Sequence, residues 1–166
     1  KDDSVEIRPL TYNRDVWYNL EQRLLLVYSG RGRNANSILQ KQAAAMSDEV
    51  KFNLVRRSRD KAYVGARYLR EGKLDDFGSL LHDAWLDKKG VEASITNEYF
   101  DDIYNRALEA GALGGKLLGA GGGGFFLFYV DPSLREKVVS AITDGTSCKV
   151  YDFNFTERGS TLATYC

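Results

Sequence analysis

The chain has 166 residues, a length typical of one globular domain that is large enough to bury a hydrophobic core. Lysine plus arginine equals aspartate plus glutamate at 23 residues each, so the formal net charge is zero and no nucleic-acid or membrane surface is expected. No apolar run approaches the roughly 20 residues of a membrane-spanning helix, and the polar, acidic start predicts no signal peptide, so we expect a cytoplasmic protein.

The first part of the chain predicts one clear strand. Residues 1–20 are predicted to be the tail of a preceding domain or an edge strand, with strand character near residues 5–10. The main domain is predicted to cover residues 21–166. It opens with the apolar run RLLLVYS at residues 23–29, which has the length of a strand and is followed by glycines.

Four helices are predicted to follow this strand. The first has Ile38, Leu39 and Met46 on one face, behind a cap provided by Asn34 or Asn36. The other three are predicted over residues 48–71, ended by Gly72, over residues 74–89, ended by Gly90, and from Thr96 to a stop at Gly111.

The last third of the chain predicts two strands around a glycine-rich loop, then a helix and a final strand. Asp131 and Pro132 are typical of the N-cap and first residue of a helix, which is predicted to end at Gly145. Residues 148–155 alternate aromatic side chains, as a half-buried strand does. This βαββαβ order, with a multi-helix insertion in the first crossover, predicts an α+β fold. We expect a ferredoxin-like antiparallel sheet with helices on one face.

The most informative segment is GGKLLGAGGGGFFLFYV, residues 114–130. Seven of its first eleven residues are glycine. Because glycine costs backbone entropy, this density indicates that the backbone either adopts positive φ repeatedly or approaches a ligand or another segment closely. A loop without Cβ atoms can point several N–H groups at one anion, usually a phosphate.

Three general interpretations of this segment compete. Gly119, Gly121 and Gly124 satisfy G-x-G-x-x-G, but a dinucleotide fingerprint must open a helix, and the strand-like FFLFYV follows here. A P-loop needs Ser or Thr after its Gly-Lys pair, and Leu117 stands there instead. A glycine-rich hairpin turn remains open, although a tight hairpin needs one or two glycines rather than four in a row.

The string KLLGAGGGGF also resembles the third motif of the GHMP kinases, named for galactokinase, homoserine, mevalonate and phosphomevalonate kinases. Phe125 departs from the small residue or cysteine often found after that motif. The segments LLLVYSGRGRNANSIL and LHDAWLDKKG extend the likeness, which is to the sugar-kinase branch that includes D-glycero-D-manno-heptose 7-phosphate kinase, with fucokinase second. The positions that fit the motif are Lys116, Gly119, Ala120, Gly121, Gly122, Gly123 and Gly124.

GHMP kinases have two domains, and this chain resembles only the second. Their nucleotide loop, which resembles P-x-x-x-G-L-G-S-S-A, belongs to the N-terminal domain, and no such string occurs here. The chain starts at Lys1, and KDDSVEIRPL reads like the end of a preceding domain. The resemblance therefore implies the C-terminal half of an ATP-dependent kinase, inactive alone, whose partner is its own N-terminal kinase domain.

The resemblance also implies which roles belong to the N-terminal domain and which to this chain. The absent domain would bind most of the ATP and Mg²⁺ and supply the catalytic residues, so no catalytic residue or metal ligand is expected in this chain. The glycine-rich loop would lie near the transferred phosphate. The implied substrate is D-glycero-D-manno-heptose 7-phosphate, phosphorylated at its anomeric hydroxyl, with L-fucose as the alternative. A second hypothesis is a stand-alone ferredoxin-like module that binds a small molecule without catalysis.

Four residues outside the loop are candidate substrate contacts. Arg31 and Arg33 follow the first strand and could hold a phosphate, although a solvated turn explains them equally well. Trp85 could stack on a sugar whose hydroxyls bond Lys88, but a tryptophan is more often a core residue. His82 is the only histidine, which leaves a histidine-based triad or metal cluster without support.

Overall fold

The computed structural model describes residues 13–32 and 35–156. The expected strand near residues 5–10 lies outside the described residues. Three short 3₁₀ turns, Ala45–Ser47, Ala93–Ile95 and Pro132–Leu134, accompany the regular elements. In chain order these elements are α1 (Arg14–Arg23), β1 (Leu24–Tyr28), α2 (Ala35–Ala44), α3 (Glu49–Glu71), α4 (Leu74–Val91), α5 (Glu98–Ala110), β2 (Ala112–Leu117), β3 (Phe125–Val130), α6 (Arg135–Thr143) and β4 (Lys149–Tyr151).

The four strands form one antiparallel sheet in the order β2-β3-β1-β4. In the central pair, Leu25 lies opposite Phe128 and Val27 lies opposite Phe126. Helices α2 to α5 all lie between β1 and β2 in the chain, so the multi-helix insertion falls in the first crossover. The predicted α+β fold with its βαββαβ order is confirmed.

Most predicted helix ends are confirmed, because local capping chemistry decides them. The Asp48 carboxylate accepts from the first N–H groups of α3, and Gly72 ends that helix with φ of 70°. The prediction that Gly90 ends α4 was wrong, since the helix continues to Val91. Gly90 instead marks a close approach, because a Cβ at that position would lie 2.7 Å from Leu54 of α3.

Two elements differ from the expectation. Helix α1 was not predicted, because it is highly polar and only Leu20 among its residues is fully buried. Asn13 caps its N-terminus, because the Asn13 side chain accepts a 2.9 Å hydrogen bond from the Asp15 N–H. The last strand, β4, spans three residues rather than eight, and Tyr151 at its end is 45% exposed.

Both faces of the sheet carry hydrophobic clusters, so the expectation of helices on one face was incomplete. Alternate residues of a strand point to opposite faces. Leu25 and Val27 belong to the larger cluster, which includes Phe100 and Ile103 of α5. Leu24 belongs to a second cluster with Leu20 and Tyr129, against which parts of α1, α3 and α4 pack. The unpredicted α1 therefore has a structural role, since it covers the second face.

Helices α3 and α4 form an antiparallel pair held by a buried carboxylate. Asp87 of α4 is 3% exposed and pairs with Arg57 and Lys61, both on α3. Burial opposes ionisation of Asp87, but the hydrogen bonds from Lys61 and Arg57 outweigh it and lower the pKa of the carboxyl. Among the described residues, no helix combines the length and apolar character that crossing a bilayer requires.

Candidate functional site

The glycine loop, residues 118–124, joins β2 to β3. The Leu118 N–H donates to the Phe125 carbonyl oxygen at 2.8 Å and closes its base. All five of its glycines have positive φ, from 63° at Gly119 to 147° at Gly123. Side-chain-bearing residues rarely adopt these angles, so the glycine content follows directly from the path of the backbone.

The loop also lies against backbone from two other parts of the chain. A Cβ at Gly121 would lie 2.8 Å from the Ile95 carbonyl oxygen. A Cβ at Gly123 would lie 2.9 Å from the carbonyl oxygens of both Arg31 and Gly32. Both predicted reasons for the glycines, positive φ and close approach, therefore apply at the same positions.

Backbone hydrogen bonds fix the second half of the loop. The Gly122 N–H donates to the Ile95 carbonyl oxygen at 2.8 Å, and the Gly124 N–H donates to that of Arg31 at 2.9 Å. The Ser29 N–H donates in turn to the Gly124 carbonyl oxygen at 2.9 Å. The Gly122 and Gly124 N–H groups are therefore already hydrogen-bonded to backbone carbonyls. This leaves the N–H groups in the first half of the loop as the ones that can bind an anion.

Side chains hold the carbonyls of that first half. Lys88 Nζ donates to the carbonyl oxygens of Leu117 at 2.8 Å and Gly119 at 2.6 Å, and Gln42 Nε2 donates to that of Ala120 at 2.8 Å. In a planar trans peptide the N–H points opposite to the preceding C=O. The Ala120 N–H is therefore directed away from Lys88, and the Gly121 N–H away from Gln42.

Tyr99 holds the Arg31 side chain next to the loop, and a hydrogen bond fixes Tyr99 in turn. The exposed Arg31 guanidinium lies 3.8 Å from the centroid of the Tyr99 ring, a cation–π contact. The Tyr99 hydroxyl donates to the Ser29 carbonyl oxygen at 2.7 Å. Burial, together with the nearby Cys148 thiol, raises the pKa of Tyr99, so its hydroxyl stays protonated and continues to donate.

The other predicted site residues lie in different environments. Arg33 lies outside the described residues. Trp85 is completely buried in the main core, with its ring 5.9 Å from that of Tyr104, which favours the core role over sugar stacking. Lys88 binds loop carbonyls, and His82 Nδ1 lies 2.9 Å from the Tyr104 hydroxyl.

Lys116 lies beside the loop in the chain but faces away from it. Its strand neighbours Gly115 and Leu117 lie on the face of the main core, where Leu117 is fully buried. Because strand residues alternate, the Lys116 side chain lies on the other face, towards α3 and α4. Burial lowers the pKa of its amine.

Sequence reasoning missed several residues that shape the site. Gln42, Tyr99 and Ile95 each contact the loop or its support from at least 25 residues away in the chain. Local periodicity carries no signal for such contacts. No group of three or more His, Cys, Asp or Glu side chains that could hold a metal ion occurs within residues 13–32 and 35–156.

We expect Lys88→Met to loosen the glycine loop. Hydrogen bonds from a charged donor contribute about 1.5–3 kcal/mol, so amide exchange at Gly122 and Gly124 should accelerate about tenfold or more. The measurement is hydrogen exchange followed by NMR. Lys89→Met is the matched control, because Lys89 lies on the same helix but pairs with Asp101 rather than the loop. Equal exchange rates in the two variants would show that Lys88 does not hold the loop.

Comparison with known proteins gives one family and several partial relatives. Residues 66–146 match the family described as GHMP kinases C terminal. The D-glycero-alpha-D-manno-heptose 7-phosphate kinase of Campylobacter jejuni is 28% identical over 155 residues, covering 93% of this chain and 45% of that protein. The bifunctional fucokinase/GDP-fucose pyrophosphorylase of Arabidopsis thaliana is 28% identical over 135 residues, covering 80% of this chain and 13% of that protein.

A solved structure supports the fold. The crystal structure of a D-glycero-D-manno-heptose 1-phosphate kinase from Bacteroides thetaiotaomicron superposes with a TM-score of 0.60. It is 24% identical, and the match covers 93% of this chain and 40% of that one. The chain thus spans less than half the length of each of these three proteins.

Proposed function

We propose that this chain forms the C-terminal half of an ATP-dependent sugar kinase of the GHMP type, because residues 66–146 match the family described as GHMP kinases C terminal. The acceptor that we propose is D-glycero-D-manno-heptose 7-phosphate, at its anomeric hydroxyl. The Campylobacter jejuni relative, which matches over 93% of the chain, supports this choice. L-fucose is the second candidate, supported by the Arabidopsis thaliana relative.

One observation carries the proposal: hydrogen bonds from residues outside the glycine loop anchor it on several sides. Lys88 and Gln42 bind its carbonyls, and Ile95 and Arg31 accept from two of its amides. A kinase catalyses phosphoryl transfer mainly by positioning and by neutralising charge with donors fixed beforehand. A loop anchored in this way, with the Ala120 and Gly121 N–H groups directed away from Lys88 and Gln42, fits that requirement.

In the proposed reaction, a sugar hydroxyl oxygen bonds to the γ-phosphorus of magnesium-bound ATP while the bond to the β–γ bridging oxygen breaks. ADP leaves, and the hydroxyl proton passes to a base in the N-terminal domain. The Ala120 and Gly121 amides would stabilise charge on the transferred group, and Arg31 would pair with the 7-phosphate of the sugar. This chain would therefore supply one wall of the cleft and no acid–base group.

The test is ADP release by two proteins, this chain alone and a longer form that includes the preceding domain. We expect the longer form to phosphorylate heptose 7-phosphate, and this chain to show no ATP-dependent turnover. Turnover by rigorously purified chain alone would contradict the division of roles. Preference of the longer form for fucose would select the second candidate.

A stand-alone binding module is the other class of function to separate from a kinase. The coding sequence upstream of Lys1 discriminates the two. A string resembling P-x-x-x-G-L-G-S-S-A upstream supports the kinase, because that motif supplies the nucleotide loop that this chain lacks. An upstream region without such a string, together with ligand binding but no ADP release, would favour the module.

A further inference from the structure

The helix pair α3 and α4 forms a groove that the proposed kinase reaction does not use. Its cavity volume is about 290 Å³, and its walls are mostly apolar. Residues from both helices line it, including Ala62, Ala66, Leu69, Phe77, Leu81 and Ala84. Lys116 reaches it from β2.

The two lysines of the groove differ in their partners. Lys61 Nζ donates to the Asp83 carbonyl oxygen at 2.9 Å and pairs with the Asp87 carboxylate. The Lys116 amine makes no hydrogen bond or ion pair with any residue of the described ranges, and burial is what lowers its pKa. An unpaired ammonium in apolar surroundings is costly, so an anion that reaches Lys116 would stabilise the charged form of its amine.

The shape of the groove restricts that anion. Lining residues of α3 run along one stripe from Ser58 to Leu69, which corresponds to about 16 Å at 1.5 Å per residue. A cavity of about 290 Å³ is at the lower limit of small-molecule sites, so a groove of this length is narrow. It suits an unbranched chain better than a ring system.

The single positive charge of Lys116 also limits the charge of the anion that the groove can bind. One ammonium neutralises one negative charge, so a phosphate dianion would leave charge uncompensated against apolar walls. A carboxylate carries a single charge and accepts a charge-assisted hydrogen bond from an ammonium. We propose that the α3–α4 groove binds a linear aliphatic carboxylate, whose head group pairs with Lys116 and whose chain lies between the two helices.

Sodium octanoate is the probe, titrated calorimetrically into the full chain. We expect saturable binding to the wild type and binding weakened about tenfold or more in Lys116→Met, the loss expected for a charge-assisted contact. Lys116→Arg should retain most of the affinity. Lys137→Met removes an exposed lysine from α6 and should bind like the wild type. Octanol, which lacks the charge, should bind much more weakly than octanoate.

A second variant separates loss of the site from loss of the fold. Ala62→Trp places a large side chain at the exposed rim of the groove and leaves Lys116 in place. We expect it to melt cooperatively near the wild-type temperature and to lose octanoate binding. The proposal is overturned if the wild type does not bind octanoate at millimolar concentration. It is equally overturned if folded Lys116→Met binds as tightly as the wild type.

Discussion

Gly121→Val should lower kcat/KM of the proposed two-domain kinase at least about tenfold, a loss near 1.4 kcal/mol of transition-state stabilisation. Two physical effects act together. Gly121 has φ of 96°, which a β-branched residue does not adopt without strain. Its Cβ would also lie 2.8 Å from the Ile95 carbonyl oxygen, and backbone cannot rotate away as a flexible side chain does. The loop must shift, and the Gly122 amide that donates to Ile95 shifts with it.

The matched control for this variant is Gly145→Val. Gly145 also has positive φ, 68°, but no atom lies within 4 Å of a Cβ built there. Both variants therefore carry backbone strain, on the order of 1–3 kcal/mol, and only Gly121→Val adds the steric contact. Steady-state kinetics and urea unfolding of both variants separate the effects. Normal kinetics in folded Gly121→Val would favour a simple hairpin turn over a phosphate-side loop.

Arg31→Ala should raise KM for heptose 7-phosphate about 10- to 150-fold, the range expected for one charge-assisted contact of roughly 1.5–3 kcal/mol. KM for ATP should change little, because the nucleotide is proposed to bind mainly to the other domain. Arg31→Lys should recover only part of the loss, since an ammonium reproduces neither the planar fork nor its stacking on Tyr99. The measurement is a kinetic titration with heptose 7-phosphate and with fucose.

Arg106→Ala serves as the control for removing a surface arginine. Arg106 lies on α5 and pairs with Asp102, four residues earlier on the same helix. Its loss should leave both KM values near those of the wild type. If Arg31→Ala also leaves KM for the phosphosugar unchanged, Arg31 is a solvated turn residue, and the phosphate must be bound elsewhere. The sequence also makes Arg33 a candidate phosphate contact, so Arg33→Ala should be measured in the same kinetic titration.

Local chemistry made much of the fold predictable. Helix α3 begins after Asp48 because its carboxylate accepts from free N–H groups of the first turn. It ends at Gly72 because glycine tolerates the left-handed conformation. The order of apolar runs led to the βαββαβ fold, and the density of glycine identified the loop between β2 and β3. These features depend on residues close together in the chain, so a sequence pattern contains them. Helix α1 escaped prediction because its burial comes from distant contacts rather than from its own apolar content.

Tertiary structure alone decided which side chains share the site. Lys116 belongs to the same motif as the loop glycines, yet the alternation of β2 turns it to the opposite face, towards the α3–α4 groove. Packing of α4 along β2 buries Trp85 and brings Lys88 to the loop carbonyls. Gln42 reaches Ala120 across 78 residues of sequence. The sequence by itself determined that a glycine-rich loop would join two strands. The residues that hold it were decided by contacts between distant segments, which form only when the core packs.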